Sequence, residues 1–102
     1  MSQSPPSTRS TVSPARRIHI LDGDATGGGH RAGTGSGGTE FPASWSDDEI
    51  ISAVESIAND NTITRQPSGQ RVTLTGVRNG ISIRVVVDPS DGSIVTGYPT
   101  RP

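Results

Sequence analysis

The last third of the chain alternates polar and apolar residues, and this pattern constrains the fold more than any other feature. The clearest run has an apolar residue at every second position: Ile81, Ile83, Val85 and Val87. Residues 71–75 alternate in the same way. Successive side chains of a strand point to opposite faces, so this pattern predicts a sheet with one apolar face. Asn79-Gly80, a pair favoured in tight hairpins, separates the two runs and predicts an antiparallel pair.

A second turn, at residues 88–92, leads into a last strand that stops near Pro99. Thr96 and Tyr98 are two residues apart on this strand and therefore share a face. Their high strand propensity is sufficient to explain both residues. The functional alternative is a hydroxyl that binds a phosphate beside a ring that contacts a nucleotide.

One helix is predicted before these strands, over residues 46–59. Ser46 and Glu49 have the spacing of a capping box, and Trp45 and Ile50 that of a hydrophobic staple. The apolar residues that follow share one helical face: Ile50, Ile51, Val54, Ile57 and Ala58. The predicted class is α+β, with an N-terminal helix-and-loop half followed by an antiparallel β-meander.

The N-terminal segment has the composition of a linker. Residues 1–16 are rich in Ser, Pro, Thr and Arg, and we expect a disordered tether there, with the folded domain at 17–102. Residues 17–22 are too few to assign as helix or strand. We expect neither a signal peptide nor a membrane span in this sequence, which would leave any export signal on a larger parent chain.

The composition excludes several kinds of site. The chain has no cysteine, so disulfides and zinc–thiolate sites are impossible. It has no lysine either, and all nine basic residues are arginine. Three arginines and no acid precede residue 18, whereas residues 18–102 carry six arginines and ten acids, a net charge of −4. This balance argues against sequence-blind nucleic-acid binding, so any RNA contact must be local.

The two histidines of the chain, His19 and His30, flank the start of a glycine-dense loop at residues 23–38. One imidazole can accept a proton while a second donates one, as RNA cleavage by its own 2′-hydroxyl requires. Backbone N–H groups of the loop and the guanidinium of Arg31 would stabilise the charge on the phosphate.

Spacing alone also allows structural roles for both histidines. His19, between Ile18 and Ile20, has the neighbours of a partly buried structural residue, and His30 fits a solvated loop. A metal site that adds Asp22 or Asp24 to the histidines matches no standard motif, and the loop lacks the Gly-Lys-Ser/Thr ending of a Walker phosphate loop.

Four separated blocks, taken in order, resemble the bacterial EndoU nuclease family over about residues 17–100. The blocks are His19-Ile20-Leu21-Asp22-Gly23-Asp24, Gly27-Gly28-Gly29-His30-Arg31, Glu40-Phe41-Pro42 with Trp45-Ser46-Asp47, and Thr96-Gly97-Tyr98-Pro99. The resemblance implies the small barnase/EndoU/colicin/RelE-like ribonuclease fold. It also implies a metal-independent endoribonuclease without a cofactor that cleaves RNA, often transfer RNA, and leaves a 2′,3′-cyclic phosphate.

The resemblance further implies a biological setting and site residues. Family members are C-terminal toxin domains of large secreted proteins, delivered to the cytoplasm of a competing bacterium and blocked by a cognate immunity protein. We expect a monomer apart from that complex. The family's catalytic residues correspond to His19 and His30, as the acid–base pair, with the substrate contacts Thr96 and Tyr98. Substrate binding is expected from Arg31, Gly28 and Gly29.

The sequence departs from the family pattern at one position. The family usually has a lysine shortly before the Phe-Pro pair, and here Gly38 occupies its place. Arg31 is expected to compensate for the lost cation. The alternative is a catalytically weakened relative that binds RNA or a partner protein without turnover. An extracellular structural module is a third alternative, but it explains neither histidine.

Overall fold

The computed structural model describes residues 10–23, 28–30 and 39–100. Over these ranges the chain forms two helices, α1 (Pro14–Leu21) and α2 (Asp47–Ala58). Four strands follow: β1 (Gln66–Ser68), β2 (Arg71–Arg78), β3 (Ile81–Asp88) and β4 (Ser93–Pro99). They form one antiparallel sheet in the order β1-β2-β3-β4. The predicted α+β class and the β-meander are confirmed.

Helix α2 begins at the predicted capping box. The Ser46 Oγ accepts the Glu49 N–H at 3.1 Å, and the Ser46 N–H donates to the Glu49 Oε1 at 3.0 Å. These reciprocal bonds satisfy two of the backbone donors that a helix leaves free at its start. Trp45, just before the cap, packs against the core and stacks on Phe41 with ring centroids 5.6 Å apart.

Helix α1 begins within the stretch for which a tether is predicted. Ser13 caps it by accepting the Arg16 N–H at 3.2 Å, and Pro14 occupies the first turn, where its missing N–H costs nothing. The segment before the helix also makes folded contacts: the Ser10 N–H donates to Asn59 Oδ1 at 2.7 Å and the Val12 N–H to Glu55 Oε2 at 2.8 Å. Contacts with the C-terminal part of α2 are therefore present at Ser10 and Val12, ahead of the expected boundary at residue 17, and residues 1–9 lie outside the described ranges.

The core lies between α2 and one face of the sheet. Two glycines allow the helix to approach: a Cβ at Gly97 would lie 2.7 Å from Val54 Cγ2, and one at Gly76 would lie 3.1 Å from Ile57 Cγ1. The largest fully buried side chains are Phe41, Ile20, Leu21, Ile50, Ile57, Leu74, Ile83, Ile94, Val54, Val85 and Val87. We call the opposite side of the sheet, which α2 does not cover, the second face.

A β-bulge between β3 and β4 determines which residues reach the second face. Val87 pairs with Ile94, but the preceding Val86 pairs with Thr96, so Val95 is an additional residue in β4. Without this insertion, Thr96 would share the core face of Ile94. With it, Thr96 lies opposite Val86 and Tyr98 lies opposite Arg84 on the second face. Bulges often redirect side chains beside functional sites.

Candidate active site

The loop that carries His30 docks on the C-terminal end of α1. The Gly29 N–H donates to the His19 carbonyl at 2.9 Å, and the His30 N–H donates to the Ile20 carbonyl at 2.7 Å. The last carbonyls of a helix have no partner within the helix, so the loop supplies a donor to Ile20 and adds one to the His19 carbonyl, which also accepts the Gly23 N–H at 3.1 Å. These two bonds bring His19 and His30, eleven positions apart in the sequence, to one end of α1.

Gly28 makes this docking possible. Its φ is +84°, and a Cβ at this position would overlap the His19 carbonyl oxygen. Only glycine accommodates both the backbone conformation and the close approach. The sequence suggests that Gly28 and Gly29 offer backbone N–H groups to a phosphate. In the structure the Gly29 N–H donates to the His19 carbonyl, and both glycines hold the loop against the helix; their binding of a phosphate stays a prediction.

His30 is oriented by two contacts. Its Nδ1 lies 2.6 Å from the Thr39 carbonyl oxygen, which can only accept a hydrogen bond, so Nδ1 carries the proton of this bond. Its ring stacks on Tyr98 with centroids 5.4 Å apart and an interplanar angle of 29°. The Nε2 atom is the ring nitrogen that this bond leaves available.

His19 is buried, with 7% of its surface exposed, and its side chain borders an open cleft of about 370 Å³. The other residues that line the cleft are Arg16, Arg71, Val95 and Thr96. The cleft therefore joins α1, the first residue of β2 and the bulged part of β4. Two of the predicted site residues, His19 and Thr96, meet in it.

The hydroxyl of Thr96 is an unsatisfied polar group. Its Oγ1 is buried and has no hydrogen-bond partner among the residues that the structure describes. Leaving a buried hydroxyl unpaired costs about 1–3 kcal/mol, so such a group in a native fold calls for an explanation. A ligand bound in the adjoining cleft would provide one.

Thus the structure brings together four of the predicted site residues in two pairs. Tyr98 stacks on His30, and Thr96 lines the cleft beside His19. The predicted Arg31 and the position of the absent family lysine, Gly38, lie outside the described residues, as does Asp24.

Sequence reasoning missed the two arginines of the cleft. Arg16 falls within the predicted tether, and Arg71 is one polar residue of an alternating strand. A signal is present for Arg16: Ser13-Pro14 has the cap-and-proline signature of a helix start. A helix that starts there places Arg16 and His19, three residues apart, on the same face.

The carboxylate of Asp88 lies close enough to Arg71 of the cleft for the two charges to interact. The pKa of Asp88 is lowered, chiefly because its side chain accepts hydrogen bonds from the Ser90 hydroxyl and N–H, and to a lesser extent through the positive charge of Arg71. Asp88 therefore stays ionised at neutral pH. Its Oδ1 is engaged by Ser90, and the charge of Arg71 acts on it through space.

Two features are absent from the ranges that the structure describes. No group of three or more His, Cys, Asp or Glu side chains lies close enough there to hold a metal ion. None of the described helices combines the length and the apolar character needed to cross a membrane.

Comparison with known proteins gives one match. A family model described as bacterial EndoU nuclease matches residues 34–101. The match includes α2, the whole sheet and the pair Thr96 and Tyr98, and it starts after both histidines. No curated protein and no solved structure matches the chain.

Proposed function

Because this chain belongs to the bacterial EndoU nuclease family, we propose that it is a toxin domain that cleaves RNA without a metal ion or a cofactor. In the proposed reaction, one histidine removes the proton from a 2′-hydroxyl and the oxygen attacks the adjacent phosphorus. The bond from phosphorus to the 5′-oxygen breaks, and the second histidine gives that oxygen its proton. The products are a 2′,3′-cyclic phosphate and a free 5′-hydroxyl.

The orientation of His30 is the observation that carries this proposal. A histidine in a solvated loop has no fixed orientation, whereas His30 has its Nδ1 bound to a backbone carbonyl and its ring held by Tyr98. This arrangement leaves Nε2 to take up or release a proton, whether His30 acts as the base or as the acid. His19 and His30 are linked through the bond from Gly29 to the His19 carbonyl, which keeps the two residues at one end of α1.

Thr96 and Tyr98 are proposed to contact the substrate. The unpaired Thr96 hydroxyl can donate to a phosphate oxygen, which would remove the cost of its burial. The Tyr98 ring holds His30 on one side and is half-buried, so it keeps a surface available for a nucleotide.

The biological setting belongs to the same proposal. We infer that the domain is delivered into the cytoplasm of a target cell as part of a larger secreted protein, with transfer RNA among its candidate substrates. A cognate immunity protein would protect the producing cell by covering the cleft.

The absence of lysine favours a second candidate function, a weakened relative that binds RNA without cleaving it. A lost cation at the phosphate could raise the barrier by several kcal/mol, which is some hundreds-fold in rate. The two functions differ in whether a folded domain produces RNA ends with a cyclic phosphate.

The test is cleavage of total RNA by the purified chain in the presence of EDTA, with analysis of the end groups. We expect cyclic-phosphate ends, and His30→Ala should lower the rate by about 10²–10⁴-fold. His30→Asn is the matched control for structure, because its amide can still donate to the Thr39 carbonyl but cannot exchange protons at neutral pH.

We expect His30→Asn to unfold closer to the wild-type temperature than His30→Ala while being equally inactive. If His30→Asn cleaves RNA at the wild-type rate, His30 is not part of the acid–base pair. If folded wild-type protein yields no cyclic-phosphate ends, the second candidate replaces the first.

A further inference from the structure

We propose that Arg16 and Arg71 form a binding site for a backbone phosphate of the substrate, in the cleft beside His19 and Thr96. The identity of the ligand as RNA rests on the proposed function. The site itself rests on the placement and the bonding of the two arginines.

The two arginines come from different elements and meet in one cleft. Arg16 lies on α1 one turn before His19, and Arg71 is the first residue of β2. Both line the cleft of about 370 Å³ together with His19, Val95 and Thr96. This volume is at the lower end of the range for ligand sites and accommodates a phosphodiester group.

The bonding of these arginines differs from that of their neighbours. Arg17 forms an ion pair with Asp48 at 2.9 Å, and Arg78 forms one with Asp60 at 3.0 Å. By contrast, the guanidinium groups of Arg16 and Arg71 make no hydrogen bond or ion pair with any residue in the described part of the chain. Arg84 is also unpaired there and, like Arg71, is exposed, but it does not line the cleft.

The charges around the cleft favour an anion. Arg16, Arg71 and His19 line it, and the two guanidinium charges exceed the single negative charge of the nearby Asp88, whose Oδ1 accepts two hydrogen bonds from Ser90. The chain has no lysine, so arginine is the side chain that offers a permanent positive charge to a phosphate. A guanidinium can bind two phosphate oxygens at once, which fixes the orientation of the group as well as its position.

Thr96 provides a second, independent indication of a ligand. Its buried hydroxyl has no partner among the described residues, although the residue itself borders the cleft. A phosphate oxygen between Arg16 and Arg71 would offer an acceptor to this hydroxyl. The phosphate would then lie between the cationic side of the cleft and His19, where an acid–base group can reach its ester oxygens.

The experiment measures binding of a short 2′-O-methyl RNA of mixed sequence, which lacks the attacking hydroxyl and cannot be cleaved by the proposed route. Fluorescence anisotropy at several salt concentrations would compare the wild type with Arg16→Gln, Arg71→Gln and the double variant. Arg17→Gln is the matched control, since it removes the same charge from the same helix outside the cleft.

We expect each cleft variant to weaken binding by about tenfold or more, as for the loss of a charged hydrogen bond. The double variant should lower the slope of log affinity against log salt by about 0.7, the value for one phosphate contact in a single strand. Arg71→Lys keeps the charge but cannot bind two phosphate oxygens in the bidentate geometry of arginine, so its affinity for the oligonucleotide should lie between those of Arg71→Gln and the wild type. Arg17→Gln should change the affinity by less than about twofold.

Parallel cleavage assays separate this proposal from the proposed function. If oligonucleotide binding depends on Arg16 and Arg71 but the wild type does not cleave RNA, the phosphate site is supported and the proposed ribonuclease activity is overturned. The opposite outcome is that the wild type cleaves RNA, but Arg16→Gln and Arg71→Gln change its binding and its rate no more than Arg17→Gln does. That outcome overturns the phosphate site and supports the ribonuclease. A folded wild type that does not bind the oligonucleotide also overturns the site.

Discussion

At the scale of single residues, the contact between Gly28 and the His19 carbonyl joins the two halves of the proposed catalytic pair. The geometry leaves no room for a side chain: a Cβ on Gly28 would overlap the carbonyl oxygen and lie 3.1 Å from the His19 ring carbon Cδ2. A side chain at this position would therefore displace the loop that carries His30, the imidazole of His19, or both.

We predict that Gly28→Ala lowers both stability and RNA cleavage. The positive φ costs about 1–2 kcal/mol for a residue with a Cβ, and overpacking against α1 adds about 1–3 kcal/mol. Urea denaturation would give the stability, and cleavage would be measured at a temperature where the variant is folded. We expect the folded variant to cleave at least about tenfold more slowly, because small displacements of catalytic groups have large effects on rate.

Gly80→Ala is the matched control for this prediction. Gly80 has a similar φ of +78°, but no atom lies within 4 Å of the position of its Cβ. This variant should lose only the backbone contribution of about 1–2 kcal/mol and retain its activity. Equal losses of stability and activity in the two variants would show that the contact with His19 is unimportant.

The identity of the site residues can be predicted better from the sequence than their arrangement. His19 and His30 stand out as the two histidines of the chain, whereas strand propensity is sufficient to explain Thr96 and Tyr98, and only the family resemblance assigns them a role. The pairing of His30 with Tyr98 depends on contacts between residues far apart in the chain, which spacing does not contain. The arginines of the cleft escape prediction for the same reason, because Arg71 meets α1 only after the sheet has formed.

At the scale of elements, the close packing of α2 on β4 depends on a second glycine. Gly97 lies between the two proposed substrate contacts, Thr96 and Tyr98, and faces Val54 of α2 on the core side. A Cβ there would lie 2.7 Å from Val54 Cγ2 and 2.9 Å from Val54 Cγ1. The packing of the helix and the position of the site residues are therefore coupled through one strand.

We predict that Gly97→Ala and Val54→Ala partly compensate for each other. The first overpacks the core by about 1–3 kcal/mol, and the second removes two methyl groups and leaves space, at about 2 kcal/mol. In the double variant the new methyl group occupies that space. The loss of unfolding free energy, measured by urea denaturation, should therefore be about 1 kcal/mol smaller than the sum of the two single losses.

Gly76→Ala supplies the control for this cycle. Its Cβ would also meet the core, but it would contact Ile63 and Ile57 rather than Val54. Combined with Val54→Ala, it should give a loss close to the sum of the single losses. If the losses of unfolding free energy for Gly97→Ala and Val54→Ala also add up to the loss of their double variant, the contact between Gly97 and Val54 does not limit the packing of α2.

The elements differ in how far the sequence predicts them. The predicted bounds of α2 are nearly right because the capping box and the apolar face are local signals. Helix α1 has eight residues, too few for a periodic signal, and its composition continues that of a linker. The polar–apolar alternation of the sequence does not indicate the bulge at Val95, because Ile94 and Val95 both have high strand propensity. The shared face of Thr96 and Tyr98 is therefore predictable, whereas the side of the sheet on which they lie is not.

At the scale of the whole molecule, the residues that form the core and the residues proposed for catalysis lie on opposite faces of the sheet. One face packs on α2 and holds the core, and the second face carries Thr96, Tyr98 and the residues that α1 brings to them. Helix α1 contacts β4, so its position sets the geometry of the cleft. In a chain of 102 residues with little apolar surface to bury, a few polar contacts that hold α1 are a sizeable part of the net stability.

The residues before α1 make such contacts. The Ser10 N–H binds the Asn59 side chain, whose Nδ2 in turn donates to the Ser10 carbonyl at 2.8 Å. The Val12 N–H binds the Glu55 carboxylate. Both partners lie at the end of α2, so the segment joins the start of α1 to the C-terminal part of α2.

We predict that the stable domain starts at Ser10 rather than at residue 17. A chain that begins at Ser10 should unfold within about 0.5 kcal/mol of the full chain. One that begins at Ser13 loses the bonds to Asn59 and Glu55 and leaves their partly buried polar groups unpaired, so its free energy of unfolding should fall by about 1–3 kcal/mol. One that begins at Arg17 also loses the cap of α1 and the Arg16 side of the cleft, and it should lose RNA binding as well. Urea denaturation and oligonucleotide binding would measure these effects, and equal stability of the chains that start at Ser10 and Ser13 would show that the segment is a tether after all.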